Sequence, residues 1–153
     1  MSAVSCENVV HIYHLDDDEV VALRGVDLQI AEGEAVALLG PSGSGKTTLL
    51  WLLAGLLRPT AGKLRVLDRD VGGMSSHALT RLRARQMGIV LQNPARNVLP
   101  HASAVGNLAF ARRIGRAGRD VRSVDELLDR VGLSDVARRP AGRLSGGEQQ
   151  RLA

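Results

Sequence analysis

The chain has 153 residues, of which 44% are hydrophobic and 24% charged, a balance that excludes a disordered chain and matches one globular domain with a sizeable core. Aromatics make up only 2%, so the core is built from Leu, Val, Ile and Ala, and the lone Cys6 excludes an internal disulfide. The net charge of +4 rests on arginine, Lys46 and Lys63 being the only lysines, and the strongest apolar run, 49–57, is half the length of a membrane span.

Residues 1–7 have neither the basic start nor the apolar stretch of a secretion signal. Residues 8–15 are β-prone, and the acidic run Asp16-Asp17-Asp18-Glu19, lacking the glycine and spaced ligands of a calcium loop, reads as a turn. Residues 20–30 are extended again, and Val26-Asp27-Leu28-Gln29-Ile30 alternates strictly, which predicts a strand with one buried face. A turn at Glu32-Gly33-Glu34 leads to residues 35–39, apolar on both faces as in a central parallel strand. A glycine-rich loop follows, then residues 47–57, apolar nearly all round and therefore expected as a buried helix ending near Gly55 and Pro59.

Residues 62–67 read as a short strand closed by the turn Asp68-Arg69-Asp70, and 79–85 as a helix with its arginines outward. Residues 87–91 form a second buried-type strand ending at Gln92, and from Pro100 the chain turns helical. Ser123-Val124-Asp125-Glu126 predicts a capping box, with Val124, Leu127, Leu128 and Val131 as the apolar stripe behind it. The order strand, loop, helix, strand, then helices predicts an α/β domain with an antiparallel β edge layer. The arginine clusters at Arg81/Arg83/Arg85, Arg112/Arg113/Arg116/Arg119 and Arg138/Arg139/Arg143 come without interleaved aromatics, and read as a solvated basic face with no nucleic acid expected as a partner.

Gly40-Pro41-Ser42-Gly43-Ser44-Gly45-Lys46-Thr47 fits GxxxxGK[ST] at every fixed position, between an apolar strand and an apolar helix. In that setting the glycines let successive backbone N–H groups converge on phosphate oxygens, and the helix N-terminus adds its dipole. Lys46 neutralises the β and γ phosphates and the Thr47 hydroxyl ligates Mg²⁺, with Thr48 beside it, so the pattern predicts nucleoside triphosphate binding. By itself the loop leaves kinases, GTPases, helicases and transport ATPases open; no Asn-Lys-x-Asp segment for guanine is present, and the arginines of 112–119 could imitate a kinase lid.

Leu144-Ser145-Gly146-Gly147-Glu148-Gln149-Gln150-Arg151 resembles the signature sequence of ABC-type ATPases. The resemblance implies a P-loop NTPase core with a helical subdomain, binding ATP and Mg²⁺ and pairing head to tail with a second ATP-binding subunit. Each signature, here Ser145, Gly146 and Gly147, then caps the ATP held by the other subunit's loop. It also implies that Tyr13 stacks on adenine and that Gln92 touches Mg²⁺ and the attacking water. Ala22-Leu23-Arg24-Gly25-Val26, Asn97-Val98-Leu99-Pro100, Gly106-Asn107-Leu108 and Val131-Gly132-Leu133 look like the lipoprotein-release and macrolide-export branch, whose members are cytoplasmic ATPases on the inner face of the cell membrane, docked on a permease. Thr47 stands where serine is commoner, and Asn93-Pro94-Ala95-Arg96 is less typical of the branch; His11, His14, His77 and His101 match no family motif and read as surface or packing residues.

The family's signature helix leads to a strand ending in Asp, then a catalytic Glu and a later His, none of which lies within 1–153. The expectation is therefore an ATP-binding domain truncated after its signature, with a β layer and phosphate-loop core over 1–98 and a helical subdomain over 99–153. As a whole protein it hydrolyses ATP to drive transport; the 153-residue chain alone is expected to be inactive. A non-transporting ABC-type ATPase, or a binding-only module ending at Ala153, is the alternative.

Overall fold

The computed structural model describes residues 2–15, 18–115 and 122–153. It divides into two compact units, 1–83 and 84–153.

The first unit is built on a four-stranded antiparallel sheet in the order β2-β1-β3-β4. Its strands are β1 (Ser2–Leu15), β2 (Asp18–Ala31), β3 (Ala61–Val66) and β4 (Arg69–Asp70). The alternation read in the sequence holds in β2: Val26, Leu28 and Ile30 are half-buried while Asp27 and Gln29 are exposed. Asp16 and Asp17, part of the expected acidic turn, lie outside the described residues; Asp18 and Glu19 are strand residues, opposite Leu15 and His14.

A bulge sets which side chains of β1 face inward. Cys6 pairs with Leu28 and Val9 with Val26, so Glu7 and Asn8 together oppose one residue of β2. Asn8 takes φ 48° there, and its N–H donates to the Asp27 carboxylate at 2.7 Å. The extra residue moves the buried face from even to odd positions, so that Cys6, Val9 and His11 are all buried. Gly62 of β3 packs against this bulge at φ +84°.

Helix α1 (Lys46–Leu53) buries Thr48, Leu49 and Leu52, while Leu50 and Trp51 remain 54% and 40% exposed. The expectation of a helix buried all round is thereby corrected: within this unit only one face of α1 meets the sheet. The helix ends in a Schellman turn, Leu56 N–H donating to the Trp51 carbonyl and Gly55 N–H to the Leu52 carbonyl. Helix α2 (Ser76–Gln86) buries Leu79 and Leu82 and exposes Arg81 and Arg85, whereas Arg83 donates to the Gly55 carbonyl at 2.6 Å.

Residues 35–39 and 87–91 differ from expectation. Neither joins a ladder, and Leu39 and Val90 are 91% and 61% exposed. A parallel strand forms only against a neighbour that supplies N–H and C=O groups along its length, and the described residues supply partners only to the antiparallel strands.

The second unit packs α3 (Ala104–Gly115), α4 (Val124–Arg130) and α5 (Gly146–Leu152) around Val98, Ala104, Leu128, Leu133, Ala141, Leu144 and Leu152. The expected capping box is present, Ser123 Oγ accepting from Glu126 N–H and Glu126 accepting from Ser123 N–H. Leu128 is fully buried behind it, with Val124 and Val131 packed against the same core. Arg112 and Arg113 fall in the last turn of α3, where cations suit the helix dipole; Arg116 and Arg119 lie outside the described residues.

Candidate functional site

In the first unit one open cavity of about 440 Å³ is lined by Tyr13, Val20, Val21 and Ala22 from the β1–β2 pair and by Ser42, Gly43, Ser44, Gly45, Lys46, Thr47 and Thr48 from the loop and first turn of α1. Gly45 starts the helix at φ 83°, and no side chain caps the N–H groups of the first turn. Those N–H groups have no carbonyl within the helix to donate to, so an anion is their natural acceptor. A Cβ on Gly45 would lie 2.7 Å from both the Ala22 carbonyl oxygen and Leu23 Cδ2, so a side chain there would push the loop off β2.

Lys46 Nζ donates to the Gly40 carbonyl at 2.9 Å, the Pro41 carbonyl at 2.5 Å and Ser44 Oγ at 3.2 Å. These use all three of its N–H bonds, and among the described residues no carboxylate neutralises the charge. Exchanging neutral carbonyls for phosphate oxygens strengthens each bond. Thr47 is exposed at the helix start, while Thr48 is buried with its hydroxyl 3.2 Å from the Tyr13 hydroxyl. Tyr13, placed inward by the bulge, thus borders the same cavity as the phosphate loop.

Gln92 and the Ser145-Gly146-Gly147 stretch belong to the second unit. Gln92 is exposed on a loop closed by Asn97: Leu91 N–H donates to Asn97 Oδ1 at 2.7 Å and Asn97 Nδ2 donates to the Leu91 carbonyl at 2.8 Å. Asn107 clamps Leu99 in the same manner, at 2.7 and 3.1 Å. Ser145 is the N-cap of α5, its Oγ accepting from Glu148 N–H at 3.3 Å while Glu148 accepts from Ser145 N–H at 2.7 Å. The Ser145 backbone bond, then its side chain, hold the Glu148 carboxyl below the usual carboxylate range, with smaller contributions from Arg139 and Arg151. Gln149 and Arg151 tie the helix down, donating to the Ala141 and Val131 carbonyls at 2.9 Å each. Gly146 and Gly147 stay exposed in the first turn.

Residues 23–153 match the family described as ABC transporter. The chain belongs to that family. Its relatives include the lipoprotein-releasing system ATP-binding protein LolD 1 of Caulobacter vibrioides, 39% identical over 155 residues that cover 99% of the chain and 65% of the relative. The macrolide export ATP-binding/permease protein MacB of Salmonella typhimurium is 41% identical over 149 residues, 95% of this chain and 22% of that protein. The solved post-hydrolysis dimer of the ATP-binding cassette MJ0796, bound to ADP and Pi, superposes with a TM-score of 0.85 at 31% identity, covering 97% of this chain and 66% of that one. This establishes the P-loop NTPase fold of ABC cassettes. The chain spans 65% and 63% of two LolD relatives.

For this ABC-family chain, the structure adds residues to the candidate site that motif reading passed over. Val20, Val21 and Ala22 line the cavity together with the loop, a role visible only once β2 folds back along β1. The Ser145–Glu148 capping box was readable from the same Ser-x-x-Glu spacing as Ser123–Glu126. His11, expected as a surface or packing residue, is buried, with Nδ1 2.9 Å from the Arg58 carbonyl.

Proposed function

We propose that this chain is the ATP-binding part of a transport ATPase that couples ATP binding and hydrolysis to transport through a partner permease in the membrane. It forms one ATP-binding domain, with a β layer and phosphate-loop core over 1–98 and a helical subdomain over 99–153. The observation that carries the reading is that one cavity is lined both by Tyr13 and by the glycine loop, Lys46 and the uncapped start of α1. A flat ring and a row of N–H donors around one space suit a base and its polyphosphate.

The roles of these residues are those the family resemblance implies, and their donor chemistry suits them. Gly40, Pro41, Ser42, Gly43, Ser44 and Gly45 wrap the phosphates, and Lys46 neutralises them. Among the described residues no three His, Cys, Asp or Glu side chains cluster to hold a metal. The Thr47 hydroxyl, a hard oxygen donor that suits Mg²⁺, would hold the metal that comes with the nucleotide, and by the family resemblance Gln92 would touch it and the attacking water. Ser145 Oγ is fixed at the start of α5 by accepting from Glu148 N–H. Together with the Gly146 and Gly147 N–H groups it meets the γ-phosphate of ATP on a second subunit, paired head to tail.

No described helix is long and apolar enough to cross a membrane; the protein works peripherally, on the cytoplasmic face, docked on its permease. The test is Lys46→Ala. Equilibrium binding of MgATP is expected to weaken by at least about tenfold, the loss of one charge-assisted hydrogen bond. Affinity equal to that of the parent would overturn nucleotide binding at this loop, and with it the whole reading.

A further inference from the structure

We infer that His11 is a positioning residue for Tyr13, fixing the ring that meets the nucleotide base; this rests on the base-stacking reading of Tyr13 proposed above. His11 is 8% exposed, on the inner face that the Asn8 bulge creates. Its Nδ1 lies 2.9 Å from the Arg58 carbonyl, which can only accept, so Nδ1 carries the proton and donates. The other nitrogen, Nε2, is buried without a hydrogen-bond partner among the described residues. An orphaned buried acceptor is unfavourable, and an apolar ring would fill the same space without it. What the imidazole gains is a fixed plane: one edge is pinned to the backbone between α1 and β3. Against that plane the Tyr13 ring packs edge to face, with centroids 4.7 Å apart and an interplanar angle of 87°.

Tyr13 is thus held at two points. Its hydroxyl is 3.2 Å from Thr48 Oγ1 in the first turn of α1, and its ring lies against His11. A ring fixed before binding loses little freedom when a base settles on it, so His11 raises affinity for the base and leaves the phosphate contacts unchanged.

The experiment compares MgATP with magnesium tripolyphosphate, which carries the phosphates and no base, by titration calorimetry on the intact protein. Tyr13→Leu is expected to weaken MgATP and spare tripolyphosphate. His11→Asn keeps a donor for the Arg58 carbonyl and removes the ring; it is expected to weaken MgATP by about two- to tenfold, the range one edge-to-face pair supplies, and again spare tripolyphosphate. His11→Phe keeps the ring and is expected to retain the parent's preference. If Tyr13→Leu is selective while His11→Asn weakens both ligands or neither, His11 only packs and the inference fails. A His11→Phe protein that loses MgATP alone also overturns it, since the Arg58 bond would then be the carrier. If Tyr13→Leu shows no selectivity, the base-stacking reading itself falls and takes the inference with it.

Discussion

Gly62→Ala tests the join that sets the inner face of β1. Gly62 has φ +84°, and an added Cβ would overlap the Asn8 carbonyl oxygen, lying also 2.6 Å from the Asn8 carbonyl carbon and 2.7 Å from the Glu7 carbonyl oxygen. All three are backbone atoms, so no side chain can swing aside. The left-handed conformation costs alanine about 1–2 kcal/mol. Relieving the overlap means parting β1 from β3 around the Glu7–Lys63 and Val10–Ala61 pairs, and two ladder bonds are worth about 2 kcal/mol together. The expected loss is therefore about 3–4 kcal/mol, a large part of the 5–15 kcal/mol that holds a typical domain. Gly33→Ala is the matched control, with φ +79° and no atom within 4 Å of its added Cβ; it carries the conformational cost alone. Urea unfolding reads both, with the midpoint of Gly62→Ala falling by about 1 M more than that of Gly33→Ala at an m-value near 2 kcal/mol/M. Equal shifts for the two proteins would refute the overlap argument, and with it the claim that the β1–β3 contact fixes the bulge.

Asn97→Ala leaves both backbone groups of Leu91 without their partner; a loss of about 1–3 kcal/mol is expected, read by thermal melting. Since Glu148 is held below the usual carboxylate range, the native state binds its proton less readily than the unfolded chain does. Its contribution to the α5 cap is present above the ordinary glutamate value and fades as the pH falls through the lowered one. The Ser145 amide resonance followed by NMR should move over that acid window and stay flat in Glu148→Gln. Burial, with the Asp27 charge as a second cause, pushes the Cys6 thiol up, so Ellman's reagent should react with it only after urea unfolding; fast labelling of the folded protein would contradict the burial.

What could be read from the chain alone was what a short window determines. The phosphate loop is a local pattern with a local mechanism, and the structure gives it the uncapped, left-handed helix start that the mechanism needs. The alternation of 26–30 and the Ser123–Glu126 box are likewise decided within five residues. The Asn8 bulge is different in kind. It exists because β1 pairs on both sides, with β2 and with β3, and both ladders shift between residue 6 or 7 and residue 9 or 10. No property of Asn8 by itself announces this, although its tolerance of positive φ permits it. The burial of His11 follows from the bulge and was hidden with it. The apolar runs at 35–39 and 87–91 failed as strand predictions for the converse reason: periodicity reports what a segment would bury, whereas a ladder requires a partner.

Asn97 and Asn107 show how a segment without a ladder keeps its shape. Each carboxamide accepts from and donates to the backbone of one residue, Asn97 to Leu91 and Asn107 to Leu99, in the manner of one hydrogen-bonded pair between antiparallel strands. A side chain thereby stands in for a neighbouring strand over a single residue. The Asn97 bonds close the loop at Leu91, immediately before Gln92, and its Nδ2 also reaches the Asn93 carbonyl at 3.3 Å on the far side. The backbone of Gln92 is therefore bracketed by one side chain, while its own side chain stays exposed and uncommitted. The role proposed above for Gln92, reaching a metal and a water, calls for this combination, a fixed stem and a free tip, and the stem is set by Asn97.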